Sequence, residues 1–213
     1  MSKELIRRTI EIAVMQRSIN GHGHIGSSLS ALPIIKGIYA GMDLQNDVFI
    51  LSKGHAVAAW IAVLEKYGFT PNPFQVHPER CLQDGITCTT GSLGHGLPMA
   101  VGIAYAKQLS GNTGKVHVLM GDGECLEGTT WESLNIARRY QLHNLTVHVD
   151  DNGWQGSCRA LDLALPSLMN NIFPVKTYGR NKGLGVKLFE DHPDWHVHYL
   201  TDAEVRQIME ELR

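Results

Sequence analysis

Hydrophobic positions along the chain follow two patterns, a helical period and short continuous apolar runs. Residues 3–18 carry apolar side chains at i, i+4, i+7 and i+8 from Ile6 onward, which predicts an amphipathic helix. Residues 48–51 and 116–120 form short apolar runs typical of buried strands. The same patterns predict further helices over 28–39, 56–64 and 97–109, after Thr129, briefly within 161–172 and over 201–212, and further strands over 144–149 and 173–178.

Two of these helices, 56–64 and 97–109, are apolar on nearly every side. A helix without a polar face is buried in a core or beneath another subunit. Two such helices in a short chain therefore predict that a partner subunit covers one of them. Two other helices begin with a capping box, in which a threonine and a glutamate three residues later satisfy the first N–H groups: Thr129 with Glu132, and Thr201 with Glu204.

Residues 116–156 have the pattern of a strand, an acidic glycine turn, an amphipathic helix, a second strand and a second polar turn. Parallel strands joined by a helix place both turns at the carboxyl edge of one sheet. Asp122 in the first turn and Asn152 in the second are therefore expected to meet, although 29 residues separate them. A carboxylate and an amide oxygen suit Mg²⁺ or Ca²⁺ that also holds phosphate oxygens. The pattern predicts an α/β fold, a parallel sheet flanked by helices, with a metal site at its edge.

The overall composition is that of an ordinary globular protein. The 213 residues, 43% hydrophobic and 19% charged, predict a single domain over 1–213, or a large domain with an appendage. A net charge of -2 without a cluster of Lys or Arg excludes an obvious nucleic-acid surface, and no apolar run approaches the ~20 residues that span a bilayer. The four cysteines are scattered and the amino terminus lacks the apolar core of a signal peptide. A reducing, cytoplasmic setting is therefore expected.

Two glycine-rich stretches match phosphate-binding loops only in part. Residues 21–26 contain GxGxxG, but the dinucleotide fingerprint requires a preceding strand, and a helix is predicted there. Residues 111–115 lack the Walker spacing and precede a strand instead of following one. Neither stretch predicts a nucleotide site.

Five short motifs occur in an order that is typical of one enzyme family. Gly121-Asp122-Gly123, 28 residues and then Asn152 resemble the thiamine diphosphate motif, GDG followed by roughly 25–30 residues and Asn. The other four are GHIG at 23–26, LSKGHA at 51–56, HPE at 77–79 and TTGSLGHG at 89–96. Together they resemble the cofactor-binding half of transketolase, and above all the amino-terminal subunit of bacterial split transketolases. The resemblance covers nearly the whole chain, including VKTYGRNKGLGV and the loop with Trp195 and His196.

This resemblance implies a thiamine-diphosphate-binding fold of the pyrophosphate-module type, somewhat shortened, with thiamine diphosphate and Mg²⁺ or Ca²⁺ as cofactors. The implied metal ligands are the side chains of Asp122 and Asn152 and the main-chain carbonyl of Trp154. The implied cofactor-binding residues are His55, Gly91, Leu93, Gly121, Asp122, Gly123, Glu124, Asn152 and His196. The implied catalytic residues, which would move protons at substrate oxygens or couple two sites, are His24, His55, His77, His196 and Glu127, with His95 as a further candidate.

The resemblance further implies transfer of a two-carbon ketol unit between sugars or sugar phosphates. The family activates its cofactor with a glutamate on a pyrimidine-binding domain, for which these 213 residues leave no room. The expected enzyme is therefore one subunit of a dimer or hetero-tetramer that a separately encoded carboxyl-terminal transketolase subunit completes. Two alternatives stay open: another thiamine diphosphate-dependent lyase or synthase acting on a specialised sugar, and a non-catalytic remnant that binds the cofactor.

Some features depart from the family pattern or lie outside its motifs. Only about 20 residues separate Gly156 from Tyr178, fewer than in the family, which leaves open whether the sheet keeps all its strands. Outside the motifs, structural roles are expected for His117, His143 and His148, and a packing role for Cys125.

Overall fold

A four-stranded parallel sheet forms the centre of the molecule. The computed structural model describes residues 2–20, 23–160, 164–179 and 181–213. Its strands are β1 (Val48–Leu51), β2 (Val116–Gly121), β3 (Leu145–Asp151), β4 (Trp154–Gln155), β5 (Cys158–Arg159) and β6 (Val175–Gly179). The main sheet has the order β1-β2-β3-β6 with every pair parallel, and β4 and β5 form a separate antiparallel hairpin. The predicted α/β fold is confirmed.

Helices cover both faces of this sheet. They are α1 (Lys3–Asn20), α2 (Ile25–Tyr39), α3 (Val57–Lys66), α4 (Gly96–Leu109), α5 (Gly128–Arg139), α6 (Leu165–Asn170), α7 (Lys187–Asp191) and α8 (Asp202–Glu211), and 3₁₀ turns cover Gly54–Ala56, Leu82–Asp84 and Asp122–Leu126. One core joins α1, α2, α3, α7 and α8 to the sheet face that carries Leu119. The other core joins α4, α5 and α6 to the face that carries Val118 and Met120. Burial on both faces explains why the strands are continuous apolar runs.

The register of the strands determines where the functional groups emerge. Gly121 of β2 pairs with Asp150 of β3, and Leu51 of β1 pairs with Leu119 of β2. Because the strands are parallel, the segments that follow β1, β2 and β3 all leave the sheet at its carboxyl edge. Three loops that are distant in sequence therefore meet there.

The two predicted all-apolar helices differ in the structure. In α3 every residue from Val57 to Leu64 is buried, and the covering elements are α1 and α2 of the same chain. Helix α4 buries Leu97 and Ala104 against the sheet but leaves Leu109 69% exposed. Of the two helices, only α4 keeps an apolar side open to a partner, and the covering partner stays a prediction.

One of the two predicted capping boxes is wrong. Helix α5 begins at Gly128, and the Thr129 hydroxyl donates instead to the carbonyl oxygen of Gly94 at 2.9 Å. A contact with a distant loop thus replaces the local cap. At α8 the box is confirmed, since the Glu204 N–H donates to the Thr201 hydroxyl and the Thr201 N–H donates to the Glu204 carboxylate.

The start of α2 and the existence of α7 also differ from expectation. Helix α2 begins at Ile25, three residues before its predicted start, and α7 has only five residues, too few for a helical period to show in the sequence. Helix α1 runs to Asn20, so a helix precedes the GxGxxG stretch as expected, while positions 21 and 22 lie outside the described residues.

The shortened connection between β3 and β6 holds the β4–β5 hairpin and α6. The helix predicted within 161–172 is confirmed over Leu165–Asn170, while 161–163 lie outside the described residues. In the part of the chain that the structure describes, the main sheet has four strands. The described helices include none that is long and apolar enough to cross a membrane. All four cysteines are described, and none forms a disulfide.

Candidate active site

A cavity of about 500 Å³ opens at the carboxyl edge of the sheet. Apart from His95, every residue that the sequence predicts for the site lines it: His24, His55, His77, Gly91, Leu93, Gly121, Asp122, Gly123, Glu124, Glu127, Asn152, Trp154 and His196. The structure therefore brings the separate motifs to one place.

Two adjacent strand ends form what we call the acidic end of the cavity, which consists of Asp122 and Asn152. Both residues are only 7% exposed. The Asp122 carboxylate accepts hydrogen bonds from the N–H of Gly123 at 2.9 Å and from the N–H of Gly153 at 3.0 Å, so it joins the two turns. The Asn152 side-chain oxygen accepts a hydrogen bond from the N–H of Trp154 at 3.0 Å. The two turns that carry the predicted metal ligands are thus in direct contact.

The chemistry of the acidic end fits a hard cation that also holds a ligand. Burial raises the pKa of Asp122 to about 6, although the Lys53 charge and the Gly123 N–H oppose the shift. A cation near such a carboxylate favours its charged form. No group of three His, Cys, Asp or Glu in the described residues could hold a metal ion. A divalent ion here would therefore need main-chain oxygens and the oxygens of an anionic ligand to complete its shell.

A buried ion pair ties the ends of β1 and β3 together beside this site. The Lys53 ammonium lies 2.5 Å from a carboxylate oxygen of Asp150, and the Ser30 hydroxyl donates to the same oxygen at 2.7 Å. Both charged side chains are buried. Breaking such a pair by removing one partner costs about 3–5 kcal/mol, because the other charge stays buried without compensation. Lys53 therefore helps to hold the edge of the sheet.

Four imidazoles from four separate loops form what we call the histidine end: His24, His55, His77 and His196. The His24 ring centroid lies 5.2 Å from that of His55, 6.1 Å from that of His77 and 4.9 Å from that of His196. The rings of His55 and His196 are 5.4 Å apart. All four side chains border the same cavity as the acidic end.

Three of the four rings of the histidine end, those of His55, His77 and His196, have lowered pKa values. Burial lowers the pKa of His55 strongly, and the charge of Lys53 and the neighbouring imidazoles lower it further. Burial also lowers the pKa of His77, and burial with the charges of Lys182 and Lys53 lowers the pKa of His196. A neutral imidazole offers one donor and one acceptor nitrogen. Such rings suit proton exchange with hydroxyl and carbonyl oxygens.

Two glycines allow the LSKGHA segment to touch the 89–96 loop. A Cβ atom at Gly54 would lie 3.0 Å from backbone atoms of Gly91, and Gly91 itself has a φ of +153° with no room for a side chain beside His77. Only glycine tolerates both the contact and the backbone conformation. These two positions set the spacing between His55 and His77.

A short backbone bridge joins the loop of His24 to the loop of His196. Gly23 and His198 exchange hydrogen bonds in both directions at 3.4 Å. Next to His196, the Trp195 ring stacks on the His198 ring with a centroid distance of 3.6 Å. The bridge and the stack bring two catalytic candidates, 172 positions apart in the chain, into contact.

Two acidic residues of the cavity wall have different surroundings. Glu124 is buried, and its carboxylate accepts hydrogen bonds from the Ser52 hydroxyl at 2.5 Å and from the N–H groups of Gly94 and Gly121 at 3.0 Å each. The protein therefore uses both of its oxygens to join three segments. Glu127 precedes α5 without capping that helix through its side chain. Glu127 also lines the cavity.

Several residues of the cavity wall were not predicted from the sequence, and one predicted residue lies outside the cavity. The cavity is also lined by Ser27, Lys53, Leu126, Gln155 and Gly156. The position of Lys53 shortly after a buried strand could have indicated it as a site residue, whereas no sequence pattern marks the other four. The exposed His95 lies in a neighbouring surface groove with Pro98 and Met99. The structure does not bring His95 to the cavity, because it lies beyond the turn that carries Leu93.

The fold and its cavity place the chain among the α/β proteins that bind ligands at the carboxyl edge of a parallel sheet. Residues 3–159 match the family model described as transketolase, thiamine diphosphate binding domain. The chain belongs to this family of thiamine diphosphate-binding domains, and the resemblance inferred from its motifs is confirmed.

Similar curated proteins include two that are named as transketolase subunits. An apulose-4-phosphate transketolase subunit from Actinobacillus succinogenes is 31% identical over an alignment that covers 98% of this chain and 93% of that protein. The alignment has 259 positions against a chain of 213 residues, so the relative contains segments that this chain lacks. The 6-deoxy-6-sulfo-D-fructose transketolase subunit SqwG of a Clostridium species is 34% identical over 63% of this chain and 56% of that protein.

Solved transketolases share the fold of this chain. A transketolase from Pichia stipitis in complex with xylulose 5-phosphate superposes with a TM-score of 0.79 at 21% identity and covers 99% of this chain. A complex of the same enzyme with sedoheptulose 7-phosphate has a TM-score of 0.76 at 22% identity. This chain spans 40% of the length of each of those proteins.

Proposed function

We propose that this chain is the cofactor-binding subunit of a split transketolase, which transfers a two-carbon ketol unit between sugars or sugar phosphates. The observation that carries the proposal is that Asp122 and Asn152 open on the same cavity as four facing imidazoles. The family membership and the subunit names of the relatives support it. A remnant without activity would have no reason to keep both ends of this cavity together.

The acidic end would hold the metal and the diphosphate of the cofactor. The side-chain oxygens of Asp122 and Asn152 and the carbonyl of Trp154 would bind Mg²⁺ or Ca²⁺, with phosphate oxygens in the remaining positions. Gly121 and Gly123 lack side chains and leave the strand end open to the phosphates. When bound, thiamine diphosphate would supply the nucleophilic carbon and the electron sink for cleavage of a ketose C–C bond.

The histidine end would bind the substrate and move its protons. His24 and His77 would donate to and accept from the hydroxyl and carbonyl oxygens of the sugar, with His55 and His196 nearer the diphosphate. The lowered pKa values of His55, His77 and His196 favour neutral rings, each of which can accept a proton from a substrate hydroxyl and return it. Gly91 and Leu93 form the wall that would enclose the rings of the cofactor.

A partner subunit would complete the cavity from its open side. Leu93 and Leu126 border the cavity and are 42% and 50% exposed, although both are apolar. Exposed apolar side chains beside a binding site mark an interaction surface. We place the separately encoded pyrimidine-binding subunit there, with Glu127 at the contact, in a dimer or hetero-tetramer. The chain itself would act as one cofactor-binding domain in the cytoplasm.

The function is tested by reconstitution. The purified chain, its candidate partner, Mg²⁺ and thiamine diphosphate are mixed with a ketose phosphate and an aldehyde acceptor. Transfer of a two-carbon unit is expected only when both subunits are present. Activity of this chain alone would refute the split enzyme, cleavage without an acceptor would favour a lyase, and cofactor binding without turnover would favour the remnant.

The metal assignment is tested with Asp122→Ala. We expect Mg²⁺-dependent binding of thiamine diphosphate to weaken by more than the roughly 10–100-fold that loss of an outer-shell partner costs. The matched control is Asp202→Ala, on the exposed start of α8. Calorimetric titration of both variants decides the matter, and unchanged binding by Asp122→Ala would rule out Asp122 as a ligand.

A further inference from the structure

His198 contacts the direct neighbours of two imidazoles that border the cavity, although it lies outside the cavity lining itself. Its backbone exchanges hydrogen bonds with Gly23, the residue before His24. Its ring stacks on the ring of Trp195, the residue before His196, at a centroid distance of 3.6 Å and an interplanar angle of 10°. A displacement of His198 would therefore move both catalytic candidates.

Glu204, in the first turn of α8, holds the ring of His198. Oε1 of Glu204 lies 3.1 Å from Nε2 of His198, and because a carboxylate only accepts, this nitrogen donates. The other oxygen of Glu204 accepts from the N–H of Thr201 at 2.7 Å and from its hydroxyl at 2.8 Å. Although burial opposes the shift, the hydrogen bonds from Thr201 and His198 lower the pKa of Glu204. Each oxygen of this carboxylate thus has a separate task, one in the helix cap and one at the ring.

Both partners of this pair are attached to the core. Helix α8 is anchored by Ile208, which is fully buried. The Trp195 ring also stacks on the ring of His192 at 4.2 Å and meets the buried Phe189 edge-on at 6.0 Å. The side chains of His198 and Glu204 are only 21% and 23% exposed, so water screens their contact less than that of a surface pair. The ring of His198 is therefore fixed between the start of a helix and an aromatic stack.

We propose that the pair of His198 and Glu204 is a positioning device for the histidine end of the cavity. This inference rests on the proposed function. The backbone bridge between the two loops is weak by itself, because its hydrogen bonds of 3.4 Å are longer than the roughly 2.7–3.2 Å that is usual. The contacts of the His198 ring supply a second restraint, which keeps the rings of His24 and His196 at 4.9 Å.

The test uses two single variants and their combination. His198→Phe keeps a flat ring that can stack on Trp195 but has no nitrogen for Glu204, and Glu204→Met keeps the length of its side chain but offers no oxygen. Each variant is reconstituted with the partner subunit, Mg²⁺ and thiamine diphosphate, and is assayed with fructose 6-phosphate as donor and glycolaldehyde as acceptor. Because a displacement of about 1 Å costs up to about 100-fold, kcat/KM should fall roughly 10–100-fold in each.

The double variant tests whether the two residues act as one pair. If they do, its kcat/KM should lie within about twofold of that of the single variants, since the contact is already lost in each. Losses that multiply in the double variant would refute the pair.

Thr201→Ala is the matched control for the helix cap, which Glu204→Met also disturbs. It removes the hydroxyl that binds the Glu204 N–H but leaves the N–H of residue 201 to hold the carboxylate. Both variants should lower the unfolding temperature by about 2–4 °C, but only Glu204→Met should lower kcat/KM. An equal loss of activity in both would show that the effect comes from the helix. If Glu204→Met does not fold, His198→Phe decides the test, because it leaves the cap intact.

Crystal structures of the ligand-free wild type and of His198→Phe give a readout that needs no activity. The distance between the ring centroids of His24 and His196 should increase by about 1 Å in the variant. An unchanged distance would refute the positioning role.

The outcomes separate this inference from the proposed function. Wild-type protein that binds no thiamine diphosphate would refute the proposed function itself, and the ring distance would still decide the role of His198. Wild-type turnover that is equal in His198→Phe would refute only the positioning role.

Discussion

Within the residues that the structure describes, two groups of histidines differ in what surrounds them. His24, His55, His77 and His196 border the cavity. His117 and His148 instead lie on neighbouring strands of the sheet, with their ring nitrogens 3.2 Å apart, and the other nitrogen of His148 lies 3.0 Å from the Tyr178 hydroxyl. His148 is 3% exposed, and burial is the main reason that its pKa is lowered to about 3.

The contrast shows that a shifted pKa does not by itself identify a functional histidine. Burial lowers the pKa of His55 and of His148 alike. The difference lies in the partners: protein groups satisfy both nitrogens of His148, whereas His55 faces the open volume that adjoins Asp122. The surroundings of each ring therefore separate histidines that can transfer protons from histidines that pack in the core.

The largest effect is expected for His55→Gln, which keeps a polar side chain but removes the titratable ring. General acid–base groups contribute roughly 10²–10⁴-fold to rates, so kcat/KM of the assembled enzyme should fall within that range. The free energy of unfolding should change little, because the ring borders a cavity. Steady-state kinetics of the two-subunit enzyme and a denaturant melt measure the two quantities. Activity within twofold of the wild type would contradict a catalytic role for His55.

His148→Ala should show the opposite pattern. The change leaves a void and removes the partner of the Tyr178 hydroxyl, which together predict a loss of about 2–4 kcal/mol in the free energy of unfolding. Cofactor affinity of the folded fraction should stay unchanged. The exposed His143→Ala is the matched control, with an expected change within about 0.5 kcal/mol. Urea denaturation gives both values, and a stable but inactive His148→Ala protein would contradict the structural role.

A smaller effect is expected in the dependence of stability on pH. The pKa of His148 is lowered from 6.5 to about 3 by burial, so the folded state keeps the ring neutral while the unfolded state binds a proton below pH 6.5. The stability that this ring contributes is complete above pH 6.5 and is lost as pH falls toward 3, by at most about 1.4 kcal/mol per pH unit.

The comparison that isolates this contribution uses His148→Gln. Other groups also titrate in this range, and the raised pKa of Asp122 acts in the opposite direction. Unfolding free energies of the wild type and of the variant are therefore measured between pH 4 and 7, and the difference between them is plotted. The difference should grow as pH rises. Parallel curves would show that His148 is protonated in the folded protein.

Local patterns predicted most of the fold but failed where contacts with distant segments replace local hydrogen bonds. The apolar runs of β1 and β2 and the helical period of α3 describe those elements correctly, because burial of one face or of all faces leaves a period in the sequence. The capping box at Thr129 failed, since its hydroxyl donates to Gly94 of a distant loop. A local motif states which bonds are possible, and the rest of the fold chooses among them.

Most residues of the candidate site could also be predicted from the sequence. The motifs indicated every lining residue that belongs to them except Lys53, and their further candidate His95 lies in a neighbouring groove outside the cavity. Lys53 belongs to no period or spacing rule. Its importance depends on Asp150, which lies beside it in the folded chain.

The sequence by itself determined that Asp122 and Asn152 meet, because parallel strands joined by a helix must deliver their following turns to one edge. It also determined the α/β class, since the alternation of apolar runs and helical periods allows few other arrangements. Only the tertiary structure decided which histidines face each other and that the buried Lys53 pairs with Asp150. It also decided that both oxygens of Glu124 accept hydrogen bonds from the protein itself. Those outcomes depend on side chains from elements far apart in the chain, whose distances no local pattern encodes.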